Sequence, residues 1–170
     1  MKKTSVALIS IALLLIGIAP IEAASPKNPY GTATIDPAAP NEIILTVSKG
    51  SRKAEFAYSR LLKMKHSTIS IYEPFLKKRQ LFTVIKLESL FTFVGIAGND
   101  TVLTRALNDY RYSNLARKFL SANAYLAIKV NGEPIAYDQG GPIRLIYPDG
   151  SSWATNLDAW NWSLETIRVK

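Results

Sequence analysis

Three consecutive polar residues stand at the end of a predicted strand and could hold a flat, hydrogen-bonding ligand. Residues 101–107 have the composition of a strand and deliver Asn108, Asp109 and Tyr110 into a turn. A carboxylate accepts two parallel N–H bonds from a guanidine-like edge, and a tyrosine ring stacks on the face of a heterocycle. The same residues are also ordinary turn chemistry, because Asx side chains bond to their own backbone. The spacing alone leaves both interpretations open.

A second group of candidates lies in the last quarter of the chain. Arg144 stands inside an apolar run at residues 143–147, where an unpaired charge would cost free energy. Its side chain therefore either faces solvent or reaches a carboxylate or a ligand oxygen. Tryptophans occupy positions 153, 160 and 162, and such residues belong to the core more often than to ligand platforms. We expect Trp162 to be a core residue and Trp153, in a loop region, to be the ligand candidate.

The composition argues against several kinds of catalysis. The chain has no cysteine and one histidine, His66, so a Ser–His–Asp set would depend on His66 alone. One histidine without cysteine cannot form the usual zinc site, and no Asp-rich calcium loop occurs. Gly140-Gly141-Pro142 precedes a strand, whereas a phosphate loop precedes a helix. These absences favour a binding function over nucleophilic or zinc-dependent catalysis.

The first 23 residues have the pattern of an export signal. Two lysines precede an apolar run at residues 6–19 that is short for a membrane span, and a small-residue cleavage site follows. An uncleaved N-terminal anchor is the alternative. We expect a flexible leader at residues 24–41 and one domain at residues 42–170. The net charge is +8, but an exported chain rarely meets nucleic acid, so none is expected as a partner.

Hydrophobic periodicity predicts short elements throughout this domain. Strands are expected at residues 42–47, 67–72, 82–85, 101–107, 125–130 and 143–147 and at the C-terminus, with short helices or connections at 58–65, 86–94 and 115–120. Asn131-Gly132 predicts a hairpin turn. The last strand is expected to carry Trp160, Trp162 and Leu164 on one face. Its later apolar residues stand at the odd positions 167 and 169, and this shift predicts a β-bulge near Glu165-Thr166. The sum is an α+β domain with a mixed, short-stranded sheet and a few small helices.

Four motifs together resemble a known family. They are the Asn-Asp-Tyr turn, the Asn-Gly hairpin, the Gly-Pro-x-Arg-Leu-x-Tyr-Pro run at residues 141–148 and the Trp-x-Trp-x-Leu end at residues 160–164. This layout is similar to the short, exported, stand-alone members of the sulfite-oxidase family, and it implies their molybdopterin-binding fold. In that family a cysteine thiolate ligates molybdenum, and this chain has no cysteine. The resemblance therefore implies a pterin pocket without molybdenum.

The resemblance also implies a function. The short members are thought to bind a tetrahydropterin-like ligand and to act as periplasmic receptors without catalysis of their own. The expected partner is the periplasmic domain of an inner-membrane diguanylate cyclase or phosphodiesterase, and the expected output is biofilm control. Asn108, Asp109, Tyr110 and Arg144 match the family motif, with Asp109 expected to hold the pterin edge, and Tyr72 stands where relatives often carry tryptophan. The alternative is a molybdopterin-dependent oxidoreductase or an accessory subunit of one.

Overall fold

A computed structural model describes residues 38–170. The export signal expected at residues 1–23 and most of the leader expected at residues 24–41 lie outside this range. Within it, no helix is both long enough and apolar enough to cross a membrane. The elements in chain order are β1 Ile43–Lys49, β2 Arg52–Ala57, α1 Tyr58–Lys63, β3 Ser67–Glu73, β4 Lys78–Lys86, α2 Leu87–Val94, β5 Thr101–Ala106, β6 Arg111–Leu115, α3 Ala116–Ser121, β7 Tyr125–Val130, β8 Glu133–Pro134, β9 Arg144–Ile146 and β10 Leu164–Val169, with 3-10 helices at Tyr137–Gln139 and Leu157–Ala159.

The first sheet has five strands in the order β2-β1-β10-β5-β6. β1 and β10 run parallel, and the other neighbours are antiparallel. Because side chains alternate between the two faces of a strand, β1 shows which face is covered. Leu45 and Val47 are fully buried, whereas Thr46 and Ser48 are partly exposed on the other face. One face of this sheet therefore meets the core and the other is open.

The second sheet is antiparallel and centres on β7. It has the order β3-β4-β7, and the far edge of β7 pairs with β8 at one end and with β9 at the other. Asn131 and Gly132 connect β7 to β8 with φ angles of 51° and 88°. Two positive φ angles in a two-residue turn are what an Asn-Gly pair accommodates. The hairpin expected from the sequence is confirmed.

Helix α2 packs against the first sheet and helps to close the core. Its apolar stripe (Leu87, Leu90, Phe91 and Val94) is buried, and it also contacts β4 and α3. The helix ends at Gly95, which has a left-handed φ of 72°. Glycine adopts that conformation without a Cβ penalty, so the stop expected from the sequence is confirmed.

Two strands of the first sheet were not expected from the sequence. Both β2 and β6 are edge strands with mostly polar, exposed or half-exposed residues, so neither carries a clear apolar alternation. The β-bulge expected near Glu165 is confirmed by a register shift between Leu164 and Thr166. The expectation that the last strand includes Trp160 and Trp162 is wrong. Both residues belong to an irregular segment that precedes β10.

Candidate functional site

A cleft of about 300 Å³ opens where three loops meet. The loops are the β3–β4 turn, the β5–β6 turn and the segment that leads into β10. The residues lining this aromatic cleft are Phe75, Asn108, Tyr110, Leu157, Asp158, Trp160 and Trp162. Its volume lies at the lower end of the range for small-molecule sites, and its walls are mainly aromatic with few polar groups.

Aromatic rings form one continuous wall of the cleft. The ring of Phe75 meets that of Trp162 edge-on, with 4.9 Å between centroids, and that of Trp160 at 6.4 Å. Trp160 is buried and its indole N–H donates to the carbonyl of Trp153 at 3.1 Å, which fixes its ring. The indole N–H of Trp162 is buried without an acceptor among residues 38–170. A buried donor without a partner costs free energy.

The polar rim of the cleft joins the β5–β6 turn to the 3-10 helix at Leu157–Ala159. The amide oxygen of Asn108 accepts from the backbone N–H of Tyr110 at 3.1 Å, which is the Asx-turn interpretation given above. The hydroxyl of Tyr110 donates to the carbonyl of Asp158 at 2.9 Å. Desolvation, and then the negative charge of Asp158, raise the pKa of the Tyr110 hydroxyl. The hydroxyl therefore stays protonated and keeps the two segments together at neutral pH.

Asp109 does not line this cleft. Its φ is +64°, and its carboxylate pairs with Arg105 at 3.1 Å and lies 3.7 Å from Arg111. The side chain is 71% exposed. The left-handed backbone at Asp109 and the two arginines explain why its carboxylate lies away from the cleft, which Asn108 and Tyr110 line. The acidic residue at the cleft is Asp158.

Arg144 is buried behind the aromatic wall. Its Nη1 donates to the carbonyl of Gln139 at 2.9 Å and lies 3.7 Å from a carboxylate oxygen of Glu73. Its guanidinium lies over the rings of Trp162 and Phe82, at 4.8 and 5.0 Å from their centroids. Burial lowers the pKa of Arg144 to about 10, and the charge of Glu73 partly offsets this effect. Of the two alternatives for Arg144, solvent exposure is wrong, and the side chain reaches a carboxylate.

The buried pair of Glu73 and Arg144 supports the aromatic wall from behind. The second carboxylate oxygen of Glu73 accepts from the backbone N–H of Leu76 at 2.5 Å, in the turn that carries Phe75. Arg144 contacts Trp162 on the other side. Both members of the pair are almost fully buried, at 0% and 1% side-chain exposure. They hold the adjoining rings of Phe75 and Trp162 in place without lining the cleft themselves.

Two further expected site residues lie away from the cleft. The side chain of Tyr72 is half exposed on β3, and its backbone N–H donates to Asp149 at 2.9 Å. Trp153 packs edge-on against Tyr112, Phe119 and Tyr147, so it belongs to the core. The roles expected for the two tryptophans are thus exchanged. Trp153 packs against the core, whereas Trp162 lines the cleft. Tertiary packing decides this exchange, since both residues stand in irregular segments where periodicity gives no face.

Sequence reasoning missed four residues of the cleft, which are Phe75, Leu157, Asp158 and Trp160. Phe75 stands in a turn and is 43% exposed, and Asp158 stands in a 3-10 helix. A large apolar residue at the tip of a hairpin is a signal that could have been noticed, because turns are usually polar. No comparable signal marks Asp158.

Comparison with known proteins agrees with this architecture. Residues 76–156 match a family model described as an oxidoreductase molybdopterin binding domain. Among solved structures, the chain is similar to the sulfane dehydrogenase SoxCD from Paracoccus pantotrophus, with a TM-score of 0.61. The domain therefore has a sulfite-oxidase-like fold.

The likeness to SoxCD is one of fold. The two sequences are 13% identical, and the superposition covers 81% of this chain and 40% of the dehydrogenase chain. This chain therefore spans about 40% of the length of its structural relative. No curated protein sequence matches the chain. Asn108, Tyr110 and Arg144 fall inside the family match, whereas Trp162 lies beyond its end.

The donor atoms of this sulfite-oxidase-like domain do not fit a molybdenum centre. The sequence contains no thiol, and the cleft presents one carboxylate and one amide beside aromatic rings. Within residues 38–170 no group of three or more His, Asp or Glu side chains could hold a metal ion. A soft thiolate is the ligand type that such a metal prefers among side chains. The cleft instead offers aromatic rings against which a flat organic ring can pack.

Proposed function

We propose that this domain binds a reduced, tetrahydropterin-like molecule in the aromatic cleft and acts as a receptor without molybdenum chemistry. The observation that carries the proposal is the wall of Phe75, Trp160 and Trp162 beside the carboxylate of Asp158. A pterin presents flat faces to such a wall and N–H donors along its guanidine-like edge. Asp158 accepts those donors, and the amide of Asn108 offers a further polar contact at the rim.

A matched pair of variants tests the role of the carboxylate. Asp158→Asn replaces the carboxylate at the cleft by a neutral amide, whereas Asp109→Asn does the same to a carboxylate of the neighbouring turn that pairs with arginines instead. Because Asp158 is exposed at the rim, we expect a loss near the lower end for charge-assisted bonds, about tenfold in affinity. Anaerobic calorimetry with a tetrahydropterin measures both variants. Asp109→Asn should bind within about twofold of the parent.

The results of this pair distinguish the site from its alternatives. Equal affinity of the parent and Asp158→Asn would remove that carboxylate from the site. A tenfold loss in Asp109→Asn alone would restore the residue expected from the sequence. Absence of binding in the parent, for both reduced and oxidised pterins, would refute the pterin proposal.

The main alternative is a molybdopterin-dependent oxidoreductase or an accessory subunit of one. The match of residues 76–156 to an oxidoreductase family model supports that alternative. Metal analysis of protein purified from a molybdate-fed host separates the two functions. Stoichiometric molybdenum would support the oxidoreductase, whereas a released pterin without metal supports a receptor.

We further propose that the receptor works in the periplasm and regulates an inner-membrane diguanylate cyclase or phosphodiesterase. The support is the export-signal pattern of the first 23 residues and the resemblance to short exported relatives. Fusion of residues 1–41 to alkaline phosphatase tests export, since that enzyme needs an oxidising compartment to form its disulfides. Deletion of the gene should change the cellular level of cyclic diguanylate, and the Asp158→Asn gene should restore it incompletely. An unchanged level in the deletion strain would refute the regulatory role.

A further inference from the structure

The open face of the first sheet carries a second cleft, of about 320 Å³, on different residues from the aromatic cleft. Thr46, Ser48, Thr166 and Arg168 lie on this face, while Val47 and Ile167 between them are fully buried. The residues lining this arginine cleft are Thr46, Ser48, Leu103, Arg105, Arg111, Thr166 and Arg168. Strand pairing therefore brings hydroxyl and guanidinium groups together on one surface.

The strand register concentrates positive charge in the arginine cleft. Arg105 on β5 stands directly opposite Arg111 on β6, and Thr166 on β10 stands directly opposite Arg105. Arg168 is two residues along β10 from Thr166, so it is a diagonal neighbour of Arg105. Diagonal pairs are about 7–8 Å apart, within reach of long side chains. Like charges placed opposite each other destabilise a sheet, so this arrangement needs negative charge nearby.

The protein supplies only part of that negative charge. Arg105 pairs with Glu165 at 2.6 Å and with Asp109 at 3.1 Å, and Arg111 lies 3.7 Å from Asp109. Arg168 has no ion pair or hydrogen-bond acceptor for its side chain among residues 38–170. The three guanidinium groups of the cleft thus have only two carboxylates, those of Asp109 and Glu165, to balance their charge. The cleft has an unpaired cation beside three hydroxyl donors.

We propose that the arginine cleft binds a phosphate group. Phosphate carries about 1.5–2 negative charges at neutral pH and offers several acceptor oxygens. The guanidinium of Arg168 can donate two parallel N–H bonds to such a group. Ser48, directly opposite Arg168, and Thr166, two residues away, supply hydroxyl donors for the remaining oxygens. This site is independent of the pterin proposal, because it shares no lining residue with the aromatic cleft.

Titration of the whole chain with inorganic phosphate at constant ionic strength tests the site. Saturable NMR shifts are expected at the amides of Thr46, Thr166 and Arg168. Arg168→Gln should weaken binding at least tenfold, the factor for about 1.4 kcal/mol, and the exposed position makes a folding defect avoidable. The matched control is Arg117→Gln on α3, which changes the net charge equally outside the cleft. Shifts without saturation, or equal affinity in both variants, would overturn the proposal.

The phosphate group could be carried by a soluble molecule or by a lipid headgroup, and a second measurement distinguishes these sources. Sedimentation with phosphatidylglycerol vesicles is compared with phosphatidylcholine vesicles, for the parent and for Arg168→Gln. Saturable binding of inorganic phosphate together with Arg168-dependent binding to phosphatidylglycerol vesicles, but not to phosphatidylcholine vesicles, assigns the group to a membrane surface. Saturable binding of inorganic phosphate without vesicle binding assigns it to a soluble ligand. Binding in neither experiment refutes the site.

Discussion

Replacement of Gly140 by alanine should both destabilise the domain and disturb the aromatic cleft. Gly140 has a φ of +78°, and a Cβ added there would lie 2.5 Å from two carbons of the Trp162 ring. No real Cβ contact is that short, so the ring or the backbone must move. The ring cannot simply retreat, because it also contacts Arg144 and Phe75. The resulting strain falls on the wall of the proposed pterin site.

A second glycine provides the matched control. Gly150 has nearly the same φ, +77°, but a Cβ added there meets nothing within 4 Å. Both alanine variants incur the left-handed backbone penalty, about 1–2 kcal/mol. Only Gly140→Ala adds an overpacking cost, about 1–3 kcal/mol. We therefore expect Gly140→Ala to lower the free energy of unfolding by about 2–5 kcal/mol and Gly150→Ala by about 1–2 kcal/mol.

Urea unfolding followed by far-UV circular dichroism measures both free energies. Anaerobic calorimetry then compares the pterin affinity of the two variants at a temperature where both are folded. Gly140→Ala should bind more weakly than Gly150→Ala, because the displaced Trp162 ring changes the shape of the cleft. Equal losses of unfolding free energy in Gly140→Ala and Gly150→Ala would show that the Cβ at position 140 does not collide with the Trp162 ring. Equal pterin affinities with unequal stabilities would mean that the Trp162 ring is not part of the ligand site.

Two further predictions concern buried and partly buried charges. Glu73→Gln and Arg144→Met each leave one buried charged group without its partner, so each should cost about 3–5 kcal/mol of unfolding free energy. The double variant should cost less than the sum, and additive losses in urea unfolding would show that the pair is not coupled. Asp100 accepts hydrogen bonds from the side chain of Lys49 and from the backbone N–H of Ala97, which lower the pKa of its carboxyl group. When the pKa of a carboxyl group is lower in the folded than in the unfolded state, its ionisation stabilises the fold at any pH above the unfolded-state pKa. This stabilisation is lost as the pH falls through the folded-state pKa. In Asp100→Asn the melting temperature should therefore fall less steeply below about pH 4 than in the parent. An identical pH dependence of the melting temperature in both proteins would contradict this reasoning.

Local sequence patterns were sufficient for most of the secondary structure near the core. The helix that ends at Gly95, the hairpin at Asn131 and the bulge before Thr166 each follow from a rule that involves only a few neighbouring residues. The edge strands β2 and β6 follow from no such rule. Their residues are polar, and they are strands because β1 and β5 offer them backbone partners.

The candidate site could likewise be predicted from the sequence only in part. The lack of a thiolate that could ligate molybdenum is readable directly from the sequence, because the chain has no cysteine. Asn108 and Tyr110 lie at the cleft as expected. Arg144 reaches a carboxylate, which was one of the two alternatives left open by its place in an apolar strand.

The sequence by itself determined most elements around the core, the lack of a thiolate ligand and the turn that carries Asn108 and Tyr110. Only the tertiary structure decided which carboxylate and which tryptophan face the cleft. Asp109 and Asp158 are 49 positions apart and chemically identical, and a single left-handed φ with two neighbouring arginines turns Asp109 towards the arginine cleft. Side-chain direction in an irregular segment depends on contacts between residues distant in the sequence, and no local period encodes those contacts.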